Sequence, residues 1–391
     1  MDMDVQNSCS EKLNMNFEYS KLESDRFQKK IFKCQTQDID VKALQKNIID
    51  NEADIVFLRI PSNKSNQIQK LDLLGIPYMQ TDTLVYYYSD FAKYESTELI
   101  NKDVTFKIIE NSEINKKEVG RLVRKIFENY TNHYFSNKYL NKSDITKGYI
   151  EWVLGYCGEN KGRIAWFVEK NGVNIGFATC SFNKEDNISE GVLYGVDSDF
   201  SGGGLYGDII RFTQSHFKSL GISRMRVSTQ VQNFAVQKVW AREGFFMKES
   251  LATIHINSFL SYSDIKKTFA KLRISHTDIE NFGRISGDFN PVHFDKESAK
   301  KLGFRGTIAH GIIANAFMSK FYGIDNPGYG TLFMSYKYKF LKPLYPEHNY
   351  EVEISFPYVK NGIFLSVAKF YDEDKNICII AYSDLMNRER D

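Results

Sequence analysis

Apolar positions change their spacing several times along this chain of 391 residues. In the first hundred, ADIVFLRI and TLVYYYSDF have the length and the β-branched and aromatic content of strands. Between them, NQIQKLDLLG repeats its apolar positions at helical spacing and stops at Gly75, ahead of Pro77. NKKEVGRLVRKIFENY reads as a helix, and an aromatic segment, TNHYFSNKYLNKSDITKGYIEWV, follows it. From residue 163 the pattern becomes that of strands. RIAWFVEKNGVNIGFATCSF reads as a hairpin turning at Asn171-Gly172, and EGVLYGV as the next strand. A Gly-rich loop then opens a helix that stops at Gly221. Strand RMRVSTQV, helix NFAVQKVWAREG and strand FFMKESLATIHI close this part. The polar stretch NSFLSYSDIKK, 257–267, is the best boundary, although it contains neither Pro nor Gly. No internal repeat or low-complexity tract appears.

The length exceeds what one core supports, so two or three domains are expected. Hydrophobic residues make up 42% and charged residues 26%, with 51 basic and 49 acidic side chains giving a net charge of +2. Basic residues form no stripe, which argues against a nucleic-acid partner and towards small molecules. Cys9, Cys34, Cys157, Cys180 and Cys378 form no CxxC pair, so neither a disulfide framework nor a zinc site is expected. The N-terminus lacks a secretory pattern and no apolar run approaches the roughly 20 residues of a membrane span, so the expected location is cytoplasmic.

In VLYGVDSDFSGGGLYGDIIR, a strand delivers Gly202, Gly203 and Gly204 directly to a helix. Glycine lets backbone N–H groups approach a ligand closely, and a helix start adds unpaired donors and positive dipole. Together they form a cradle for a pyrophosphate. A plain flexible turn is the bland reading of three glycines. The context is a strand, Gly loop, helix, strand, helix beginning near Asn233, and a strand after Gly244-Phe245. That order resembles the GNAT acyltransferase superfamily. The resemblance implies acyl-CoA or acetyl-CoA as co-substrate, bound by Val196, Ser201, Gly202, Gly203, Gly204, Leu205, Tyr206 and Asn233. Ser201 stands where the family loop usually has a basic residue. Trp240 stands where a Tyr usually protonates the departing thiolate, and an indole N–H cannot supply that proton. Tyr206 is a candidate to replace it. Through RVSTQVQNFAVQKVWAREGF, NHYFSNKYLNKSDITKGYIEWV and FLRIPS…LGIPYMQTDTLVYYY, most of 15–257 is similar to the WecD type, which N-acetylates dTDP-linked 4-amino-4,6-dideoxyhexoses and carries a small α/β domain ahead of the GNAT core. The resemblance implies an amino sugar nucleotide as acceptor. His133, Tyr134, Thr229 and Gln230 are its candidate contacts, each with a structural role as the competing reading.

A second centre lies at GDFNPVHFD, 287–295, where Pro291 forbids regular structure and Asn290 favours a turn. This stiff loop holds Asp288 and His293 in a set relation, and an Asp/His pair converging on one water is a general acid–base device. His310-Gly311 lead into the apolar helix IIANAFMSKF, whose start supplies N–H donors for a developing enolate oxygen. This stretch resembles the MaoC-like, (R)-specific enoyl-CoA hydratases of the hotdog fold. The family motif matches at Gly287, Asp288, Asn290, Pro291, His293 and Asp295, and again at Ala309-His310-Gly311. The resemblance covers about 268–391. It implies that Asp288 and His293 are the catalytic pair, that Gly311 N–H is the oxyanion donor, and that two copies join as a homodimer through this domain. His310 reads as structural; His216, His255, His276 and His348 show no metal spacing, and no metal is expected.

The expected architecture is α/β plus α+β. A small N-terminal α/β domain (1–100) and a GNAT acyltransferase domain (101–260) precede one MaoC-like hotdog domain (268–391). The expected function is bifunctional: (R)-specific hydration of a short 2-enoyl-CoA, and N-acyl transfer to an amino sugar nucleotide for glycan or surface polysaccharide. Two alternatives stand beside it. In one, a plain N-acetyltransferase carries the hotdog domain as a non-catalytic dimerisation or acyl-binding module. In the other, Ser201 and Trp240 mark a degenerate acyltransferase and only the hydratase works.

Overall fold

The computed structural model describes residues 15–128, 130–158, 162–261 and 267–387. The strands that precede residue 261 form one ten-stranded sheet. In chain order they are β1 (Asn16–Tyr19), β2 (Ile31–Gln35), β3 (Ile55–Pro61), β4 (Tyr78–Asp90) and β5 (Val104–Ile108), then β6 (Arg163–Lys170), β7 (Val173–Asn183), β8 (Ile188–Val196), β9 (Arg224–Gln230) and β10 (Phe246–Asn257). Their order across the sheet is β1-β2-β3-β10-β4-β9-β8-β7-β6-β5. Helices α1 (Lys21–Phe27), α2 (Val41–Asp50), α3 (Glu113–Ile126), α4 (Lys142–Leu154), α5 (Leu205–Ser219) and α6 (Phe234–Arg242) lie between the strands in sequence. The first domain boundary, expected near residue 100, falls inside this sheet, because β10 inserts between β3 and β4. Residues 62–74 form a 3₁₀ segment, ended by left-handed Gly75, where a helix was expected.

β8 and β9 run parallel and pair only from Ile188–Gly191 to Arg224–Val227. Beyond that, β8 bonds to β7 alone and β9 to β4 alone, so the two strands part in the middle of the sheet. The Asn171-Gly172 hairpin forms as read, with both turn residues at positive φ.

The remaining strands are β11 (Thr268–Arg273), β12 (Thr331–Phe340), β13 (Asn349–Lys360), β14 (Ile363–Tyr371) and β15 (Ile377–Asn387), all antiparallel in the order β11-β13-β14-β15-β12. Helices α7 (His276–Ser286), α8 (Pro291–Phe294), α9 (Lys296–Lys301) and α10 (Ile313–Lys320) accompany them, and one π turn extends α10 to Asp325. Ala314, Met318, Phe321 and Tyr322 from this helix and turn share one core with Val352, Ile354, Ala368, Phe370, Ile379 and Ala381 of the sheet. This is the hotdog arrangement.

Side chains alternate across a strand, so the other face of β14 and β15 carries Leu365, Val367, Ile380 and Tyr382. These four belong to the core of the first half, beside strand residues of β3 and β10 and Phe259 and Leu260. Polar bonds stitch the same seam. Tyr382 Oη donates to Ser258 O at 3.0 Å, and Lys369 Nζ to Leu260 O at 2.9 Å. Lys339 Nζ reaches Leu73 O at 2.6 Å. Residues 257–260, expected to belong to a boundary stretch, are therefore buried at the joint, and Tyr262 to Lys266 lie outside the described residues. Among the described residues no helix is long and apolar enough to cross a membrane.

Candidate active sites

Helix α7 opens on a capping box between Ser275 and Asp278 and ends at Gly287, whose φ of 76° is left-handed. The chain there reverses into Asp288-Phe289-Asn290. Asn290 caps the single turn α8 by accepting from Val292 N, with Pro291 at the first position, where its missing N–H costs nothing. Asp288 Oδ1 accepts from Asn290 N at 3.1 Å, which fixes the carboxylate against the same turn. Asp295 begins α9 by accepting from Ser298 N, and the Ser298 hydroxyl together with that N–H holds its carboxyl below the usual range. The last acid of the motif is therefore a cap.

His293 Nδ1 lies 2.8 Å from Ile308 O. A carbonyl only accepts, so Nδ1 carries the hydrogen and a neutral ring keeps its lone pair on Nε2. His310 is 2% exposed and stacks on His293 with ring centroids 3.8 Å apart. Its Nε2 is 3.0 Å from Asp288 O and 3.8 Å from Asp288 Oδ2. By the same reasoning Nε2 carries hydrogen there. Its Nδ1 is buried and has no partner among the described residues. One donor atom from each of Asp288, His293 and His310 falls within 4.8 Å of the others. The acid and the imidazole therefore converge, and His310, read from sequence as structural, is packed against both. With two ring nitrogens bonded to main-chain carbonyls, a cation would find the carboxylate, His293 Nε2 and the shielded His310 Nδ1.

Gly311 precedes α10. A Cβ there would sit 2.7 Å from the Phe340 ring, so only glycine lets the backbone lie against that side chain. Asp288 is exposed, and Phe289, Phe294, Ile312 and Phe340 expose large apolar surfaces in the same domain. The edge strand β12 adds Leu332, Met334 and Tyr336.

In the first half, Gly202, Gly203 and Gly204 have φ of 100°, 57° and 84°. All three are left-handed, a run that side chains rarely adopt, which accounts for the triplet. Gly202, Gly204, Leu205 and Tyr206 line a cleft of about 440 Å³ with Arg211, Val239 and Arg242. Val196, Ser201, Gly203 and Asn233 do not line it. Ser201 Oγ instead donates to Ser198 O, and Asn233 Nδ2 to Thr229 Oγ1 at 3.0 Å. Residues 96–101 strap the loop: Ile100 N and Asn101 N donate to the Asp208 carboxylate, and Asn101 Nδ2 donates to Gly203 O. Arg211 is neutralised by Asp208 at 2.9 Å and Glu243 at 3.0 Å, which leaves Arg242 as the exposed cation of the cleft. Burial pushes the Tyr206 hydroxyl up, so it keeps its proton at neutral pH. Trp240 is buried, and its indole N–H has no close hydrogen-bond partner among the described residues but faces the Tyr206 hydroxyl.

Residues 263–364 match the family model described as MaoC like domain, and residues 124–245 match the one described as Acetyltransferase (GNAT) family. The chain joins a GNAT acetyltransferase domain to a MaoC-like hotdog domain. A mitochondrial 3-hydroxyacyl-[acyl-carrier-protein] dehydratase of Arabidopsis thaliana is 28% identical over 26% of this chain and 59% of that protein. An (R)-specific enoyl-CoA hydratase of Rhodospirillum rubrum is 34% identical over 21% of this chain and 60% of that one. The chain thus spans less than two thirds of the length of either relative. Among solved structures, an (R)-hydratase from A. caviae involved in PHA biosynthesis is 19% identical, over 32% of this chain and 95% of that one, with a TM-score of 0.30. A GCN5-related N-acetyltransferase from Sphaerobacter thermophilus is 8% identical, over 62% and 75%, with a TM-score of 0.45.

In the acetyltransferase domain, the four expected acceptor contacts separate into two pairs. Thr229 and Gln230 end β9 at the parting of β8 and β9, and Gln230 Oε1 accepts from Tyr130 Oη. Tyr134 is tied to Glu23 at 3.2 Å and packed on Phe27 and Phe57. His133 is buried in a polar chain whose direction the bonds dictate. Asn137 Oδ1 accepts from Tyr139 N, so Asn137 Nδ2 is the donor to Asn257 Oδ1 and to His255 Nδ1. His255 Nε2–H then donates to His133 Nδ1 at 2.8 Å. Both imidazoles are neutral. Burial pulls the His133 pKa well below its usual value, and pulls His255 down to about 3. Sequence reasoning gave His255 no role. The signal was the alternation in ATIHIN, which sets Thr253, His255 and Asn257 on one face of β10, all buried.

Proposed function

We propose that the chain is a bifunctional acyl-CoA enzyme. Its hotdog domain adds water to a short 2-enoyl-CoA with (R) specificity. Its acetyltransferase domain passes an acyl group from CoA to an amino sugar nucleotide of the dTDP-4-amino-4,6-dideoxyhexose type, for glycan or surface polysaccharide, in the cytoplasm. The observation that carries the reading is the convergence of Asp288 and His293, with His293 Nδ1 committed to Ile308 O and Nε2 left to meet a water. One of the two groups removes a proton from that water, while the other orients it or returns a proton to the α-carbon. The water oxygen bonds the β-carbon, and the enolate-like oxygen of the thioester is met by the Gly311 N–H. His310 acts through Asp288 and His293 as a positioning residue, because it stacks on one and bonds the main chain of the other.

The exposed apolar side chains around Asp288 and along edge strand β12 support a second copy as partner, with the site completed in a homodimer. In the acetyltransferase domain, the glycine cradle and Arg242 support the CoA pyrophosphate, and the parting of β8 and β9 gives the acyl arm a way into the sheet. Tyr206, protonated and on the cleft wall, supports the role of acid to the thiolate.

The test is to incubate the full chain with crotonyl-CoA and a dTDP-4-amino sugar and to weigh the products by mass spectrometry. A 3-hydroxybutyryl amide is expected. Acetyl transfer with no use of the hydrated donor would separate the two activities, and an absence of hydration would end the hydratase reading.

A further inference from the structure

The row across the centre of the large sheet is unusual. In register, Thr253 of β10 lies between Arg59 of β3 and Asp82 of β4. Asp82 Oδ1, Asp82 Oδ2 and Thr253 Oγ1 are all shut from solvent and lack a close hydrogen-bond partner among the described residues, with the Thr253 hydroxyl and the His133 main-chain N–H facing the carboxylate at longer range. Buried acceptors are almost always satisfied, so three together on neighbouring strands describe a place kept for a donor. Burial raises the Asp82 carboxyl above its ordinary value, against a smaller opposing pull from the Thr253 hydroxyl, the Arg59 charge and the His133 main-chain N–H.

The position of this row matters as much as its chemistry. Asp82 is two residues along β4 from Leu84, which pairs with Gln230 at the end of β9. Val231 N donates to Thr83 O at 2.8 Å and locks that junction. The carboxylate therefore lies beside the end of the strand that parts from β8. The chain of Asn137, His255 and His133 fixes the segment that passes Asp82, and so positions its neighbour without touching the reacting atoms.

We infer that Asp82, with Thr253 beside it, receives the amine of the acyl acceptor. This rests on the acyltransferase reading above and names the group that reading lacks. A primary ammonium brings three N–H donors to three unsatisfied acceptors, whereas an alcohol brings one. The ammonium gives one proton to the Asp82 carboxylate, and the freed nitrogen lone pair attacks the thioester carbonyl carbon. The C–N bond forms and the C–S bond breaks. The departing thiolate takes the Tyr206 proton, the second proton that the nitrogen sheds restores Tyr206, and Asp82 releases the first to water as the amide product leaves. Ammonium and thioester thus become amide, thiol and one released proton.

The test uses full-length Asp82→Asn with acetyl-CoA and dTDP-4-amino-4,6-dideoxyglucose as probe. Acceptor kcat/KM is expected to fall about 100-fold. The KM for acetyl-CoA should hold within roughly twofold, because the residue is outside the CoA cleft. Hydration of crotonyl-CoA by the same molecule reports that it is folded. The thermal midpoint is expected to hold or rise, since an unsatisfied carboxylate has been removed; a purely structural Asp82 would lower it. Thr253→Val should raise the KM for the amine with little change in kcat. Acceptor kcat/KM within about threefold of wild type in Asp82→Asn, or a midpoint that drops together with CoA binding, overturns the assignment. Wild-type protein that acylates no amine overturns the parent reading instead, and this is seen without any variant.

Discussion

The two halves of this chain assemble their chemistry in opposite ways. In the hotdog domain, Asp288 and His293 sit five residues apart, and the bends between them are set by Gly287, Asn290 and Pro291. Ile308 and His310, from one nearby stretch, complete the arrangement. In the acetyltransferase domain, the polar groups around Asp82 come from β3, β4, β10 and the segment at His133, scattered along the chain from Arg59 to Thr253. The first site is exposed and carries an acid and a base on a short loop; the second is closed and lies in the middle of a sheet. A local motif is written in turn and cap residues. A distributed one exists only once strand register is fixed.

The largest effect that would sharpen this comparison is expected from Asp288→Asn. Hydration of crotonyl-CoA should fall by roughly 10² to 10⁴, the usual worth of general acid–base groups, with acyl transfer intact. Loss of both activities together would mean that the halves do not act separately. The closed side should respond to acid instead. His255 titrates near 6.5 when unfolded and near 3 when folded, because burial disfavours its charged form. The unfolded chain therefore binds the proton first, and stability declines as pH falls from 6.5 towards 3. Lowering pH by roughly two units from neutrality should cost about 2 kcal/mol for this ring, read from urea midpoints; His255→Asn should flatten that slope.

Gly204→Ala tests the cradle. Its φ of 84° is left-handed, and a Cβ would lie 3.1 Å from Ile100, so the KM for acetyl-CoA should rise about tenfold. His310→Asn should lower hydration kcat by about tenfold and move its pH profile, while the KM for crotonyl-CoA stays close to wild type. Tyr382→Phe is expected to cost about 1 kcal/mol in thermal unfolding, because it leaves Ser258 O unpaired at the seam.

What was legible in the sequence follows the same division. The glycine triplet and the Asn171-Gly172 hairpin depend on residues adjacent in the chain and fold as their residue types require. The stretch at 287–295, expected to hold no regular structure, instead contains the single turn α8, because Pro291 at its first position has no N–H to lose. The stretch NSFL reads as polar and boundary-like, yet Asn257, Ser258 and Leu260 are buried because Asn137 and Pro77 reach the first, and Asp54, Tyr382 and Lys369 the others, from distant elements. His255 lies within the strand read as FFMKESLATIHI and Asp82 just before the one read as TLVYYYSDF, and nothing nearby in sequence marks their shared neighbourhood. The break expected at residue 100 is absent for the same reason. A strand that begins at Phe246 fills the gap between β3 and β4, and no composition shift announces it.

The seam also governs how the molecule can be taken apart. Leu365, Val367, Ile380 and Tyr382 complete a core whose other members lie before residue 261. Severing the chain there strips oily cover from both products at once, so the pieces are expected to precipitate. Silencing either chemistry on its own calls for single substitutions in the intact polypeptide.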